Sequence, residues 1–367
     1  MEAKTWFNLS LFNTPRAGDY FEDLIQAIDP IWSLTECRAR IVEVRNETHD
    51  TRTWVLRPTA RWNGFEAGQH LHITVDMNGT RQTRTFTISS TPYEWREQGV
   101  ITLTVKRVPH GRVTGWMHDH LEAGNVVSIS QAAGDFVLPA EPEGPIVYFA
   151  AGSGITPIAS QLGKLAACNM PVPATLLYFA RSEDDFIFGA PLRALAQAHK
   201  RFTLHTIAGD GGLKDRTYSL PQGMISADHV AAALKNKPEY SYVCGPHPFR
   251  EQVKTLLKEQ GFPLQKVKEE AFGLPPVART SGEKVTVNFT HSHTQATTDQ
   301  PGTLLDMAEQ AGLTPTAGCR MGICYTCKCT KKSGQVRNVI TGEISSGDEE
   351  DIQICITAPV SDVTIEL

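Results

Sequence analysis

The chain has 367 residues, 41% of them hydrophobic and 20% charged, with a formal net charge of −5. That length calls for two or three domains rather than one core, and no window approaches the roughly 18 apolar residues a membrane span needs. Nucleic acid is excluded as an expected partner, because neutralising phosphates requires a basic surface. The acids instead gather at the C-terminal end, where residues 283–367 carry eleven acidic and six basic side chains.

The start, "MEAKTWFNLSLF", lacks the basic patch and apolar stretch of a secretory signal. A cytoplasmic location is therefore expected, where cysteines stay reduced and clusters of them bind metal or do redox work. Residues 1–36 read as an N-terminal helical extension. Phe21, Leu24, Ile25, Ile28 and Trp32 recur at helical spacing, Asp19 and Glu22 form a capping pair, and Pro30 stops the helix. Its polar face is acidic, which disfavours anionic lipid; packing on the rest of the chain is expected, with docking to a partner as the alternative.

From 37 to 140 the pattern alternates. "RTWVLRP", "HLHITVDM", "RTFTISS", "VITLTVKRV" and "NVVSIS" are short strands between Gly, Pro and Asn turns, as in an antiparallel barrel or sandwich. Within it, Arg84 on a strand followed by hydroxyl residues could clamp a phosphate and hydrogen-bond a flat ring. The following "GRVTGWMHDHL" would offer helix-start amides to a second phosphate. Taken alone, such an Arg-Thr strand reads as a solvated face.

From 141 to 272 continuous apolar strands alternate with helical stretches, which implies a parallel sheet with crossover helices. "VYFAAGSGITPI" is a strand, a small-residue loop and a helix start. Gly152, Ser153 and Gly154 would let a pyrophosphate approach the backbone, and Thr156 and Pro157 follow. Pro157 occupies the third glycine position of the usual dinucleotide fingerprint. "VCGPHPF" places Cys244, Gly245 and Pro246 after another strand, where Cys244 also reads as a small apolar strand end. In "FARSEDDF", Arg181 and Ser182 could accommodate a ribose 2′-phosphate, although Glu183, Asp184 and Asp185 would repel one they faced.

Residues 273–282 are rich in Pro, Gly and small polar residues and read as a linker into a third unit, 283–367. There "AGCRMGICYTCKCT" gives Cys319, Cys324 and Cys327 in C-x4-C-x2-C spacing, and Cys355 follows in "DIQICITAP". This is the plant-type spacing for a [2Fe–2S] cluster. Cys329, one residue beyond Cys327, is too close to complete a four-thiolate cage. Structural zinc, the competing metal, favours two short-spaced pairs. Four acids, Asp348 to Asp351, precede Cys355 and could steer a basic partner toward the cluster.

Two resemblances extend this reading. Residues 283–367 resemble plant-type ferredoxins, with "TLLDMAEQAGL", "CRMGICYTCKC" and the strand after Cys355. Residues 37–367 resemble the ferredoxin–NADP reductase superfamily, whose R-x-[YF]-[ST] motif is matched by Arg84, Phe86 and Thr87 and whose G-x-G-I/V-T-P and C-G-P stretches are matched at 152–157 and 244–246. The resemblance implies a flavin-binding β-barrel, an α/β parallel-sheet nicotinamide domain and an α+β β-grasp ferredoxin domain. It implies that Arg84, Thr85, Phe86, Thr87, Val105, Lys106, Gly111, Arg112, Val113 and Thr114 hold the flavin, FAD being expected over FMN. It further implies that Cys244 flanks the nicotinamide, with Thr87 and Cys244 as the catalytic pair and NADPH favoured over NADH.

The implied activity follows from electron counting: NAD(P)H gives two electrons as hydride, the cluster takes one at a time, and a flavin between them does both. The resemblance is to reductase components of oxygenase and desaturase systems. The acidic N-terminal helix with "IDPIWS" points to a fatty acyl desaturase as acceptor, which would bring the protein to the membrane surface only through that partner. A soluble Rieske-type or aromatic-ring oxygenase is the alternative, and a redox sensor or carrier without turnover is an alternative of another class.

Overall fold

The structure, a computed structural model, describes residues 17–77, 80–109, 111–212, 220–273, 284–299, 302–318, 320, 322 and 325–367. Of the expected linker only Gly273 lies among them. Helix α1 spans Ala17–Ile28 and ends before Pro30, as its periodicity anticipates. Leu24, Ile28 and Trp32 are nevertheless exposed. The segment is tethered by polar contacts: Arg38 Nη1 donates to the Pro30 carbonyl (2.6 Å), Arg61 Nη1 to Ser33 (3.1 Å), and Arg40 pairs with Asp29 (2.5 Å). Glu22 accepts from the backbone N–H of Leu34 (2.8 Å), so it holds the chain beyond the helix.

The barrel comprises β1 (Cys37–Thr48), β2 (Thr51–Pro58), β3 (His70–Met77), β4 (Thr80–Thr87), β5 (Ile101–Lys106) and β6 (Val126–Ile129), with α2 (Pro92–Gln98) and α3 (Arg112–His120). The strands pair antiparallel in the order β4-β3-β6-β1-β2-β5, and an Ile88–Leu103 bridge joins the two ends. Alternation drives this closure: Leu71, Ile73 and Val75 point inward from β3 and meet Trp54, Leu56 and Leu103. Trp54, fully buried, satisfies its indole N–H on the Leu121 carbonyl (3.1 Å).

The α/β unit has β7 (Ile146–Ala151), β8 (Ala174–Ala180), β9 (Phe202–Ala208), β10 (Tyr240–Cys244) and β11 (Val267–Glu270), all parallel in the order β11-β10-β7-β8-β9. Helices α4 (Ile155–Ala167), α5 (Gly189–Ala198), α6 (Ala227–Leu234) and α7 (His247–Glu259) cover its faces. Because both faces are buried, the central strands β7 and β8 are almost wholly apolar, while the edge strand β11 is charged. Tyr148, Leu176 and Tyr242 pack under α4 and α5, while Phe149, Leu177 and Val243 pack under α6 and α7.

The C-terminal unit has β12 (Val285–Phe289), β13 (Thr294–Thr298), α8 (Leu304–Gln310), β14 (Lys328–Ser333), β15 (Val336–Asn338), β16 (Ile344–Ser345), β17 (Glu350–Gln353), β18 (Thr357–Pro359) and β19 (Val363–Ile365). Its main sheet runs β13-β12-β19-β14-β17, with β12 and β19 parallel and α8 packed against it, the β-grasp arrangement expected. Thr303 and Asp306 cap α8 reciprocally. Among the described residues no helix is long and apolar enough to cross a membrane.

Backbone carbonyls tie the barrel, and the stretch leading out of it, to the α/β unit. Ser160 Oγ and Gln161 Nε2, both on α4, donate to the carbonyls of Ser90 and Phe136 (2.6 Å each). The Val137 carbonyl accepts from Tyr242 Oη (3.1 Å) and Lys268 Nζ (3.0 Å). Phe136 and Leu138 already belong to the α/β core, so the chain crosses between the units before residue 136 by packing. Each carbonyl left buried without a donor costs about 1–3 kcal/mol. Ser160→Ala and Gln161→Leu should each lower the urea midpoint by the equivalent of about 1–3 kcal/mol. Arg45→Ala, which removes a pairing with Glu43 between two exposed side chains, should leave it within about 0.5 kcal/mol.

Candidate functional site

Three motifs distant in sequence wall a cavity of about 450 Å³. Strand β4 brings Arg84, Thr85, Phe86 and Thr87, and β5 brings Val105 and Lys106. The start of α3 brings Gly111, Arg112, Val113 and Thr114, and the α4 loop adds Ser153 and Thr156. Every residue expected at the flavin site thus lies on one wall. The cations are unequal. Lys106 is held by Asp50 (3.2 Å) and Arg107 by Asp119 (2.6 Å), whereas Arg84 uses Nη1 only for the Thr83 carbonyl (2.7 Å). Burial, reinforced by the charge of Arg320, lowers the Arg84 guanidinium to about 10. Among the described residues lining this cavity none is acidic. A cationic end, a helix start and an apolar wall of Phe86, Val105 and Val113 fit a phosphorylated flat ring.

A second cavity of about 300 Å³ adjoins the first, sharing Ser153, Phe272 and Gly273 and adding Gly245, Pro246, His247 and Arg250. Gly154 is what brings its two motifs together: a Cβ there would lie 2.2 Å from the Cys244 carbonyl oxygen, so no other residue fits. Thr156 is buried on the cavity wall with its hydroxyl donating to the Ser153 carbonyl (3.1 Å), and Pro157 is buried within α4. Gly152 takes a left-handed φ of 54° at the turn. Cys244 itself is fully buried at the end of β10, behind Gly245 and Pro246, and burial pushes its thiol well above the ordinary value. It is a neutral thiol, not a nucleophile.

Arg181 is exposed, but one end of its guanidinium and the Ser182 hydroxyl are already engaged by carboxylates. Arg181 Nη2 pairs with Asp185 (2.6 Å) and with Asp50 of the barrel (3.2 Å), and Ser182 Oγ donates to Asp185 (2.9 Å). The acid expected to repel a phosphate therefore holds the arginine expected to bind one.

In the third unit Cys327 and Cys355 are both buried and face each other; Cys319 and Cys324 lie outside the described residues. The Cys355 thiol, hydrogen-bonded to Cys327, and nearby backbone amides lower the Cys327 thiol to about 6, against the cost of burial. For Cys329, burial and the neighbouring Cys327 push the thiol up to about 12. That contrast suits a metal thiolate at 327 and a plain thiol at 329. Gly322 has a left-handed φ of 79° and a Cβ on it would lie 2.8 Å from Ile356 Cδ1, so glycine lets the loop turn there and lie close over Ile356. The acidic loop is neutralised internally: Glu349, Glu350 and Asp351 pair with Lys332, Lys331 and Lys328 at 2.7–3.1 Å. The steering field expected from four acids is reduced accordingly.

Residues 38–138 match the oxidoreductase FAD-binding domain family, residues 149–255 the oxidoreductase NAD-binding domain family, and residues 288–360 the 2Fe-2S iron-sulfur cluster binding domain family. The chain is 28% identical over 362 residues to the glycine betaine monooxygenase reductase subunit of Chromohalobacter salexigens, covering 91% of this chain and 96% of that one. It is 30% identical over 352 residues to the ferredoxin reductase component of 3-ketosteroid-9-alpha-monooxygenase from Mycobacterium tuberculosis, covering 88% and 93%. The chain belongs to this family of FAD- and NAD-binding reductases with a 2Fe–2S domain. The reductase shares its three-module fold with the solved structure of phthalate dioxygenase reductase (TM-score 0.62, 23% identity, covering 91% of this chain and 98% of that one). It is an oxidoreductase that uses FAD, NAD(P)H and a [2Fe–2S] cluster.

Three residues of the reductase's site escaped the sequence reading: Glu270, Phe272 and Arg320. Glu270, at the end of β11, is largely covered by the barrel. Its Oε2 accepts from Thr87 Oγ1 (3.4 Å) and its Oε1 lies 3.6 Å from His70 Nδ1. Phe272, half exposed, lines both cavities. "KVKEEAFG" contains no motif, and only the partly apolar ending before the linker hinted at a role. Burial pushes the Glu270 carboxyl up. The resulting penalty on the ionised form is absent below the unfolded value near 4.5 and accumulates as pH rises from there to the folded pKa. Glu270→Gln should therefore raise Tm at pH 7.5 and change it less at pH 4, by thermal unfolding of the loaded protein.

Proposed function

We propose that this protein is the reductase component of an oxygenase system, drawing electrons from NAD(P)H and delivering them singly to a separate oxygenase. The supporting observation is that one cavity wall is built by all three modules: β4, β5 and α3 of the barrel, Ser153, Thr156 and Phe272 of the α/β unit, and Arg320 of the cluster loop. When bound, the flavin accepts electrons in pairs and releases them one at a time, which is why it belongs where the modules converge. Arg84, Arg112 and the α3 start would bind its phosphates, and Cys319, Cys324, Cys327 and Cys355 would hold the cluster.

The protein groups supply orientation and proton control. Thr87 donates its hydroxyl proton to Glu270, so its lone pairs remain for a donor in the cavity. Glu270, held toward its protonated form by burial, can keep or return a proton at Oε2. Ser153, Gly245 and Pro246 shape the coenzyme cavity, with Cys244 as its packed support. Phe272, shared by both cavities, would close the space over the ring.

The names of the two relatives favour an oxygenase acceptor over the fatty acyl desaturase that the N-terminal segment suggested, because both are monooxygenase reductase components. Their substrates differ, so the substrate of this protein's oxygenase does not follow from them. NADPH and NADH both remain coenzymes of the reading, with NADPH favoured once Arg181 exchanges a carboxylate for a phosphate.

Cys355→Ser should cut NAD(P)H-driven reduction of cytochrome c at least about tenfold while reduction of a dye taking electrons at the flavin persists. Equal loss of both, or of neither, would reject this order of carriers. Asp185→Asn should raise the NADPH-to-NADH ratio of kcat/KM by roughly tenfold, the equivalent of one charge-assisted hydrogen bond to the freed Arg181. Steady-state kinetics with the two coenzymes check it.

A further inference from the structure

Arg320 lies in the loop between two expected cluster cysteines, yet its side chain stands on the wall of the cavity that the barrel builds. Its two Nη groups are committed: both donate to the Glu309 carboxylate of α8, Nη1 to Oε2 at 2.8 Å. Its Nε–H is buried and has no hydrogen-bond partner among the described residues. A buried donor without an acceptor is costly. Like charge adds to it: after burial, Arg320 and Arg112 both disfavour the charged form of the largely buried Arg84, and Glu309 acts against them. Three arginines from two modules thus converge on a cavity with no acid among its described lining residues. One anion between them would satisfy the free N–H and relieve the repulsion.

We propose that Arg320 is a ligand of the flavin phosphate, acting with Arg84, so that the cofactor held by the barrel also clamps the iron–sulfur module onto it. This rests on the flavin reading of the cavity. Glu309 is the positioning residue: by taking both Nη groups it fixes the guanidinium plane and leaves Nε–H for the ligand. Flavin loading and module docking are then coupled and reciprocal, each strengthening the other. A reductase that has lost its flavin loses its cluster's seat as well.

The test uses flavin-stripped full-length protein and measures Kd by quenching of flavin fluorescence. Arg320→Gln should weaken FAD and FMN by about tenfold, the loss of one charge-assisted hydrogen bond. Riboflavin, which lacks a phosphate, should bind equally to both proteins, and Arg320→Lys should recover part of the loss. Unchanged FAD affinity, or an equal loss for riboflavin, overturns the proposal. Should Arg320→Gln fail to assemble its cluster, the native protein serves. FAD should slow phenylglyoxal labelling of Arg320, read by peptide mass spectrometry, and riboflavin should not. Labelling that is the same with and without FAD overturns the proposal. Native protein that binds no flavin would instead remove the flavin reading itself.

Discussion

Backbone carbonyls cannot be buried between two domains without donors, and in this protein that requirement sets the relation between the two cofactor-binding units. The Ser90 carbonyl of the barrel accepts from Ser160 of the α/β unit, and the stretch leading out of the barrel is pinned to that unit through the carbonyls of Phe136 and Val137, which accept from Gln161, Tyr242 and Lys268. The seam leaves little freedom for sliding, since each bond fixes both a distance and a direction. Its consequence is that the cavity proposed for the flavin and the one proposed for the coenzyme share a wall at Ser153, Phe272 and Gly273. A hydride donor and acceptor have to approach closely, and the seam is what holds the spaces built for them in contact.

Electrostatics divide this shared region into different environments. The barrel end is cationic, with Arg84 and Arg112 at a helix start, which suits phosphates. Behind the cavity walls burial raises both the Cys244 thiol and the Glu270 carboxyl, and Thr87 of β4 bridges to that carboxyl. In the iron–sulfur unit the order is reversed, with Cys327 eased toward the thiolate and Cys329 held away from it. Cysteines two residues apart are thus set apart by hydrogen bonds to Cys327 and by burial of Cys329.

The surface features bear on partners. The exposed Leu24, Ile28 and Trp32 show that the N-terminal helix does not bury its whole apolar stripe on the chain, although polar tethers hold the segment that follows it. Around the cluster, lysines of β14 and the acids before Cys355 cancel one another. Three of the four acids there are therefore not free charges for recognising an acceptor.

How much was legible in the sequence depends on the range over which a pattern acts. Two-residue alternation in the barrel, continuous apolar strands in the α/β unit, and the C-x4-C-x2-C spacing are local consequences of strand geometry and thiolate coordination. The amino-acid order alone therefore determined the three modules, their sequence along the chain and the flavin, coenzyme and cluster motifs. Only the tertiary structure decided what those motifs face. It tied Arg181 to Asp50 and Asp185, withdrew Cys244 behind Gly245, and set Glu270 against Thr87, 183 residues away. It also put Arg320 of one module on the cavity of another. Such contacts join side chains that no short-range periodicity relates. They arise from packing whole sheets and helices together, where burial and the need for hydrogen-bond partners, rather than spacing along the chain, select the neighbours.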